Sequence, residues 1–213
     1  MTDQDRALRE EHRTADHYRT LWHTHGDSHR ALDWGSRESQ IRRFAVLMDD
    51  MPLHGCRLLD VGCGLAHLAD WLEQEGHVLE YTGLDLMPEF LAHASRRHPT
   101  RRFITGSVLD PQILADARFD VVVSSGLFYS YPEGGNSWMQ AVVNRMWQWT
   151  DGALAFNALS TWAPMQEPNE SYADPLEVLR HCATLTSRLE LRHDYHPRDF
   201  TVRLWRTRQG GSE

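Results

Sequence analysis

The stretch Leu58-Leu59-Asp60-Val61-Gly62-Cys63-Gly64-Leu65-Ala66 decides how this chain folds and what it can bind. The apolar residues up to Val61 predict a buried strand, and the glycines after it predict a tight turn into a helix. Gly62 and Gly64 lack a Cβ atom, so a ligand can lie directly against their backbone. The alternative is a turn that is rich in glycine only for packing, because so short a pattern needs structural context.

The carboxylate of Asp60 restricts the ligand that this turn can hold. A turn that binds a dinucleotide presents amides and a helix N-terminus to a pyrophosphate, and a carboxylate there would repel it. An adenosine without phosphates and with a positively charged end fits better. S-adenosylmethionine carries an ammonium and a sulfonium, so it is the cofactor that the turn predicts.

Composition and charge narrow the class of protein. The chain has 213 residues, of which 41% are hydrophobic, and this fits one domain with a real core. The net charge is -8, which argues against nucleic acid as a partner. All 22 basic residues are arginine, so no lysine nucleophile exists. No apolar run could cross a membrane and no signal peptide opens the sequence, so we expect a soluble, cytoplasmic protein.

The cysteines and histidines do not form a metal motif. Cys56, Cys63 and Cys182 have the spacing neither of a disulfide framework nor of a paired zinc site. The 13 histidines are scattered. We therefore predict no metal.

Strands and helices alternate along the chain, which predicts an α/β fold with a Rossmann-like, doubly wound sheet. We expect seven strands, mostly parallel, closed by an antiparallel hairpin over residues 188–206. We interpret residues 1–52 as an N-terminal helical lid segment and 53–213 as the main domain, in one compact unit. Tyr18 and Trp22 would face inward from the lid, although a frayed terminal helix is the alternative.

Ligands of open α/β sheets bind at the carboxyl ends of the strands, so the residues that end each strand are the candidates. Asp85, followed by Leu86, ends the second strand at the spacing expected of a ribose-binding carboxylate, and a helix cap is the alternative. Ser107 and Val108 follow the third strand, where an adenine would lie. Three candidates end the fourth strand, namely Ser124, Ser125 and Gly126.

Aromatic and polar residues beyond the fourth and fifth strands are candidates for an acceptor pocket. Rings at these positions could contact a sulfonium by cation–π attraction, or could simply pack under a loop. These candidates are Phe128, Tyr129, Tyr131, Asn157 and Trp162.

These residues together resemble the class I S-adenosylmethionine-dependent methyltransferases. The resemblance rests on the stretch 58–64, on Thr82-Gly83-Leu84-Asp85, on the strand from Phe119 with Ser124-Ser125-Gly126-Leu127, and on the closing hairpin. It covers residues 57–206.

The resemblance implies roles for individual residues. Gly62, Cys63 and Gly64 would cradle the methionine part, Asp60 would reach its ammonium and Asp85 would bind the ribose. Ser107 and Val108 would contact the adenine. Tyr18 is a cofactor-binding candidate because of its place in the predicted lid and not because of the resemblance. Ala66 stands where many members have a third glycine and is expected within the helix, and Ser107 stands where many have an aspartate.

The resemblance does not name the acceptor. The residues after the fourth strand lack the Asn/Asp-Pro-Pro-aromatic motif of methyltransferases that act on base amino groups. We therefore expect O- or N-methylation of a small molecule, in secondary metabolism, by a monomer or homodimer. A hydroxyl acceptor would need help in losing its proton, and His17, Tyr18, Tyr129 and Tyr131 are the candidates. A NAD-dependent oxidoreductase and a noncatalytic cofactor-binding relative are the alternatives.

Overall fold

A computed structural model describes residues 3–130 and 135–207, with the backbone alone for residues 3–12 and Gly135. The helices are α1 (Asp3–His25), α2 (Arg37–Met48), α3 (His67–Gln74), α4 (Pro88–Arg97), α5 (Gly135–Trp149) and α6 (Pro175–Ala183). The strands are β1 (Arg57–Val61), β2 (Glu80–Asp85), β3 (Arg102–Thr105), β4 (Phe119–Ser124), β5 (Thr150–Ser160), β6 (Tyr172–Ala173), β7 (Leu189–Arg192) and β8 (Asp199–Trp205). Short 3₁₀ helices span His29–Leu32 and Leu127–Tyr129.

The strands form one sheet in the order β3-β2-β1-β4-β5-β8-β7. Strands β1 to β5 run parallel, and β8 pairs antiparallel with both β5 and β7. The prediction of a Rossmann-like, mostly parallel sheet with a closing hairpin is confirmed. The seven expected strands are joined by the two-residue β6, which pairs with the end of β5.

The central strands are apolar because helices cover both faces of the sheet. On one face, Leu59 and Val122 pack with residues of α5 such as Met146. On the other face, Leu58 and Val121 pack with residues of α2 and α3. None of the described helices has the length and apolar character that crossing a membrane requires.

The N-terminal segment packs onto this sheet in two different ways. Trp22 of α1 lies edge-on to Phe90 of α4, with 5.7 Å between ring centroids. Ser36 caps the start of helix α2, because its hydroxyl accepts a hydrogen bond from the Ser39 amide at 3.1 Å. Phe44 of α2 is buried in the core, so α2 packs against the sheet while α1 lies against α4.

A buried ion pair joins α2 to the closing hairpin. The guanidinium of Arg43 contacts the carboxylate of Asp199, which is fully buried at the start of β8. Tyr129, just after β4, donates its hydroxyl to the same carboxylate at 2.7 Å, and His196 lies 2.7 Å away. Three distant segments of the chain therefore meet at one carboxylate.

Replacing Arg43 with methionine should lower the free energy of unfolding by about 3 kcal/mol, because it removes the cation beside a buried carboxylate. Urea unfolding monitored by circular dichroism measures this loss. Arg42→Met, at an exposed neighbouring position, is the matched control and should change the value by less than about 0.5 kcal/mol. Equal effects of the two substitutions would contradict a stabilising role for the ion pair.

Candidate functional site

The glycine turn after β1 is held against β2 by backbone hydrogen bonds. The amides of Gly62 and Cys63 both donate to the carbonyl oxygen of Leu84, at 2.8 and 3.1 Å. Gly62 and Gly64 have φ angles of +73° and +53°, which side chains rarely allow. These hydrogen bonds therefore fix the turn at the carboxyl edge of the sheet.

Ala66 differs from the sequence-based expectation. It lies outside α3, at the N-cap position, with a φ angle of +61°. A left-handed conformation costs a non-glycine residue free energy and persists only where the surroundings impose it. The third position of the glycine pattern thus keeps a backbone shape that favours glycine, although alanine occupies it.

The carboxylate of Asp85 lies at the end of β2 and holds the turn from the other side. One of its oxygens accepts a hydrogen bond from the Gly64 amide at 2.8 Å, and the other accepts from the Met87 amide at 2.9 Å. Burial raises the pKa of Asp85, although these amides oppose the shift. Each oxygen keeps a further lone pair, so the carboxylate can still accept hydrogen bonds from a ligand.

Asp60 is a second, more deeply buried carboxylate on the same cavity. Only 2% of its surface is exposed, and the Tyr81 hydroxyl donates to it at 2.6 Å. Burial raises the pKa of Asp60 to about 7; the Tyr81 hydrogen bond opposes this shift and the nearby charge of Asp85 adds to it. A cationic ligand group beside Asp60 would favour its ionised form.

One cavity is lined by residues at the carboxyl ends of β1, β2, β3 and β4 and by residues of the N-terminal segment. Its empty space, counting the part open to solvent, is about 1210 Å³, which is enough for a nucleoside cofactor and a small second ligand. Of the predicted cofactor-binding residues, its walls contain Tyr18, Asp60, Gly62, Cys63, Gly64, Asp85, Leu86, Val108, Ser125 and Gly126.

Two predicted cofactor-binding residues lie behind the cavity wall. Ser124 is fully buried and its hydroxyl donates to the carbonyl oxygen of Val61 at 2.8 Å, which joins β4 to β1. The Ser107 hydroxyl accepts a hydrogen bond from the Leu109 amide at 3.1 Å, within its own loop. Neither side chain lines the cavity, so both differ from the expectation, and Gly106 and Val108 line this side instead.

The predicted acceptor residues are placed differently from the expectation. Phe128 is fully buried in the core against Phe156, and Trp162 is 51% exposed and stacks on His193. The side chain of Asn157 is buried behind the wall, where its oxygen accepts from the Gly126 amide at 2.9 Å. Of these residues, none lines the cavity. Tyr131 lies outside the described residues.

Of the candidate proton acceptors in the described residues, only one lines the cavity. The Tyr129 hydroxyl is engaged with Asp199, and burial raises its pKa well above the ordinary value. His17 is half-exposed and pairs with Asp33 at 3.0 Å, outside the cavity wall. Tyr18 alone of the three lines the cavity, and burial raises its pKa too. The hydroxyl groups of both tyrosines therefore keep their protons at neutral pH.

Sequence reasoning missed the residues that cover the cavity. A Cβ atom on Gly64 would lie 2.7 Å from the Leu32 side chain, and one on Gly126 would lie 2.9 Å from the Trp34 ring. The N-terminal segment thus rests directly on both glycines. Hydrophobic periodicity could not identify Trp34, because this residue lies in the short connection before α2. Gln40, Phe90 and Trp138 also line the cavity without having been predicted.

The described residues contain no group of three or more potential metal ligands among His, Cys, Asp and Glu. Cys63 lines the cavity, but burial raises the pKa of its thiol well above the ordinary value. A protonated, buried thiol is a poor nucleophile. Asp60 and Asp85 are the carboxylates among the described residues that line this cavity.

Asp60 should give the protein a distinctive pH dependence of stability. Its pKa of about 7 exceeds the ordinary value, so the folded state binds this proton more tightly and the free energy of unfolding falls as pH rises from about 4 to about 7. Between pH 5 and pH 8, Asp60→Asn should therefore gain about 1 kcal/mol or more over the wild type, as measured by urea unfolding. The exposed Asp116→Asn is the control, and parallel pH profiles for Asp60→Asn and the wild type would refute the assignment.

The site lies in a segment that known proteins share. The family described as "methyltransferase domain" matches residues 59–145, a range that contains the glycine turn, Asp85 and β4. A candidate methyltransferase of Mycobacterium tuberculosis is 28% identical over 153 residues, which are 67% of this chain and 89% of that protein. Trans-aconitate 2-methyltransferase of Streptomyces avermitilis is 29% identical over 170 residues, 74% of this chain and 58% of that protein.

Solved structures show the same fold. The crystal structure of magnesium protoporphyrin IX methyltransferase from Synechocystis with bound S-adenosylmethionine aligns with a TM-score of 0.66 at 15% identity. The alignment covers 93% of this chain and 97% of that chain. The domain match over the glycine turn, the similar relatives and the solved structure together support a class I S-adenosylmethionine-dependent methyltransferase.

Proposed function

We propose that the protein transfers the methyl group of S-adenosylmethionine to an oxygen or nitrogen atom of an uncharged small molecule. The observation that carries this proposal is the single cavity in which Asp60, Asp85 and the glycine turn meet. In this arrangement Asp85 accepts hydrogen bonds from the ribose hydroxyls, and Asp60 pairs with the ammonium. The methionine part lies along Gly62 and Gly64.

The charges around the cavity favour an uncharged acceptor. Among the described lining residues, the ionisable groups with an acidic or basic side chain are Asp60, Asp85 and His67, and none is an arginine. The chain has no lysine and residues 131–134 contain no basic residue, whereas Arg6 and Arg9 belong to the part of α1 whose side chains are not described. Among the described lining residues, a carboxylate-rich acceptor would meet two carboxylates and no arginine, which is unfavourable in a buried site. This sets the protein apart from the relative that is named for trans-aconitate.

The walls away from the two carboxylates suit a flat or apolar molecule with a polar group. Trp34 and Trp138 supply aromatic surface, and Ser125 and Ser130 supply hydroxyls. The guanidinium of Arg43 lies 5.0 Å from the centroid of the Trp34 ring, but it is paired with Asp199. The acceptor is thus selected by shape and neutral hydrogen bonds.

Methyl transfer from a sulfonium is an in-line displacement, so the protein mainly aligns the two reactants and excludes water. An amine acceptor reacts when it arrives neutral, whereas a hydroxyl must lose a proton. Because the hydroxyls of Tyr18 and Tyr129 are protonated and His17 lies outside the cavity wall, an amine or a readily ionised hydroxyl is the acceptor group that we favour. Helix α1, with Thr14, Ala15 and Tyr18 on the cavity, is the lid that would close over them.

A noncatalytic protein that only binds the cofactor is the second candidate. The fold alone does not separate the two, because one fold hosts many activities. The family match does not favour the oxidoreductase alternative. A place in secondary metabolism and a monomeric or homodimeric state remain predictions.

Asp85→Ala should weaken the binding of S-adenosylhomocysteine more than tenfold, since it removes hydrogen bonds to a charged acceptor. Isothermal titration calorimetry measures the dissociation constant. The substitution also frees the Gly64 and Met87 amides, so a thermal unfolding curve must first show that the variant is folded. An unchanged dissociation constant in a folded variant would rule out the ribose contact.

Labelled S-adenosylmethionine incubated with the protein and a metabolite extract tests both catalysis and the charge of the acceptor. We expect label in products that pass through an anion-exchange column at pH 8, and none with Asp85→Ala as the inactive control. Label in the column-bound fraction would contradict an uncharged acceptor. Label only in cofactor breakdown products would favour the noncatalytic protein.

A further inference from the structure

Asn157 is a fully buried residue on β5 whose carboxamide binds the turn after β4 at two points. Its oxygen accepts a hydrogen bond from the Gly126 amide at 2.9 Å, and its nitrogen donates to the Ser125 hydroxyl oxygen at 3.2 Å. A backbone N–H can only donate, so the carboxamide atom that faces Gly126 must be the oxygen. The orientation of the Asn157 side chain is therefore fixed, with its nitrogen directed at Ser125.

This orientation decides what the Ser125 hydroxyl can offer to a ligand. A hydroxyl has one hydrogen and two lone pairs. One lone pair of Ser125 accepts the hydrogen bond from Asn157, so the hydroxyl hydrogen points elsewhere, and it has no partner among the described residues. Ser125 lines the cavity, whereas Asn157 lies behind its wall. The cavity is therefore where a bound molecule can accept this hydrogen bond.

Ser125 lies on the side of the cavity away from the proposed adenosine site. In the sheet, β4 is next to β1 on one side, and β2 and β3 lie on the other side. Asp85 ends β2 and Val108 follows β3, so an adenosine between these two residues extends away from β4. The Trp34 ring covers the end of β4, where a Cβ atom on Gly126 would lie 2.9 Å from it. The space between Trp34 and Ser125 is thus left for a second ligand.

We propose that the Ser125 hydroxyl donates a hydrogen bond to the acceptor molecule, and that Asn157 orients the hydroxyl for this role. This inference rests on the proposed function and deepens it. The acceptor would carry an atom with a free lone pair, such as a carbonyl or ether oxygen, beside the atom that is methylated. A molecule without such an atom would leave the hydroxyl hydrogen unpaired, which weakens its binding. Ser125 thus determines specificity, and Asn157 is a positioning residue.

Labelled S-adenosylmethionine with a dilution series of a metabolite extract tests this contact. The readout is the extract concentration that gives half-maximal labelling of the main product. Ser125→Ala removes the donor, so we expect it to raise this concentration about fivefold. Calorimetry should show an unchanged dissociation constant for S-adenosylhomocysteine. Ser125→Thr keeps a hydroxyl and should lose less than Ser125→Ala, and Ser95→Ala, at an exposed position on α4, is the matched control.

Asn157→Asp tests whether the direction of the hydroxyl matters. A carboxylate has nearly the shape of the carboxamide and still accepts from Gly126, but it cannot donate to Ser125. The Ser125 hydroxyl would then donate to the carboxylate and withdraw its hydrogen from the cavity. We expect a loss like that of Ser125→Ala, and no further loss when the two substitutions are combined. Asn169→Asp, at an exposed position, is the control.

Three results would overturn the inference. An unchanged half-maximal concentration in Ser125→Ala would show that the hydroxyl does not contact the acceptor. Weaker binding of S-adenosylhomocysteine by Ser125→Ala would place the hydroxyl on the cofactor. Additive losses in the double variant would show that Asn157 does not act through Ser125. Where thermal unfolding shows that Asn157→Asp does not fold, the Ser125 variants alone decide. A wild-type protein that labels no acceptor would instead contradict the proposed function, so the two failures are distinguishable.

Discussion

The site depends on the hydrogen bonds that the Asp85 carboxylate accepts from the backbone. By binding the amides of Gly64 and Met87, one side chain ties the turn after β1 to the start of α4. The carbonyl oxygen of Leu84 strengthens the same connection through two further amides. One carboxylate thus both shapes the cavity and lines it, and the hydrogen bonds that it accepts explain why its burial is tolerated.

The N-terminal segment completes the cavity by resting on bare backbone. Leu32 and Trp34 occupy the space that Cβ atoms on Gly64 and Gly126 would need. These glycines therefore serve two purposes: they allow left-handed backbone, and they let the cover approach closely. A ligand in this cavity is enclosed between the sheet edge and a segment that precedes it in the chain.

Among the described residues, several arginines are paired with carboxylates outside the cavity. Arg43 is paired with Asp199, Arg203 with Glu190, and Arg97 with Asp70. What remains on the described cavity walls is acidic, neutral or aromatic. This distribution suits a donor with a cationic end and an acceptor without charge, because each buried charge needs a partner.

The sequence by itself determined the strand, the glycine turn and the acidic residue one strand away. These features are local, because each acts within a short segment. They are the apolar run of the strand, the missing Cβ atoms of the glycines and the spacing of Asp60 and Asp85. The alternation of strands and helices also predicted a doubly wound, mostly parallel sheet with a closing hairpin, because such a chain leaves few arrangements.

Only the tertiary structure decided which side chains line the cavity beyond the turn. Phe128 and Tyr129 follow β4 as expected, yet the short 3₁₀ helix there directs one into the core and the other to Asp199. Trp34 and Gln40 reach the cavity from a segment whose sequence carried no signal for it. The physical reason is that side-chain direction there is set by packing between segments far apart in the chain, which no local pattern encodes.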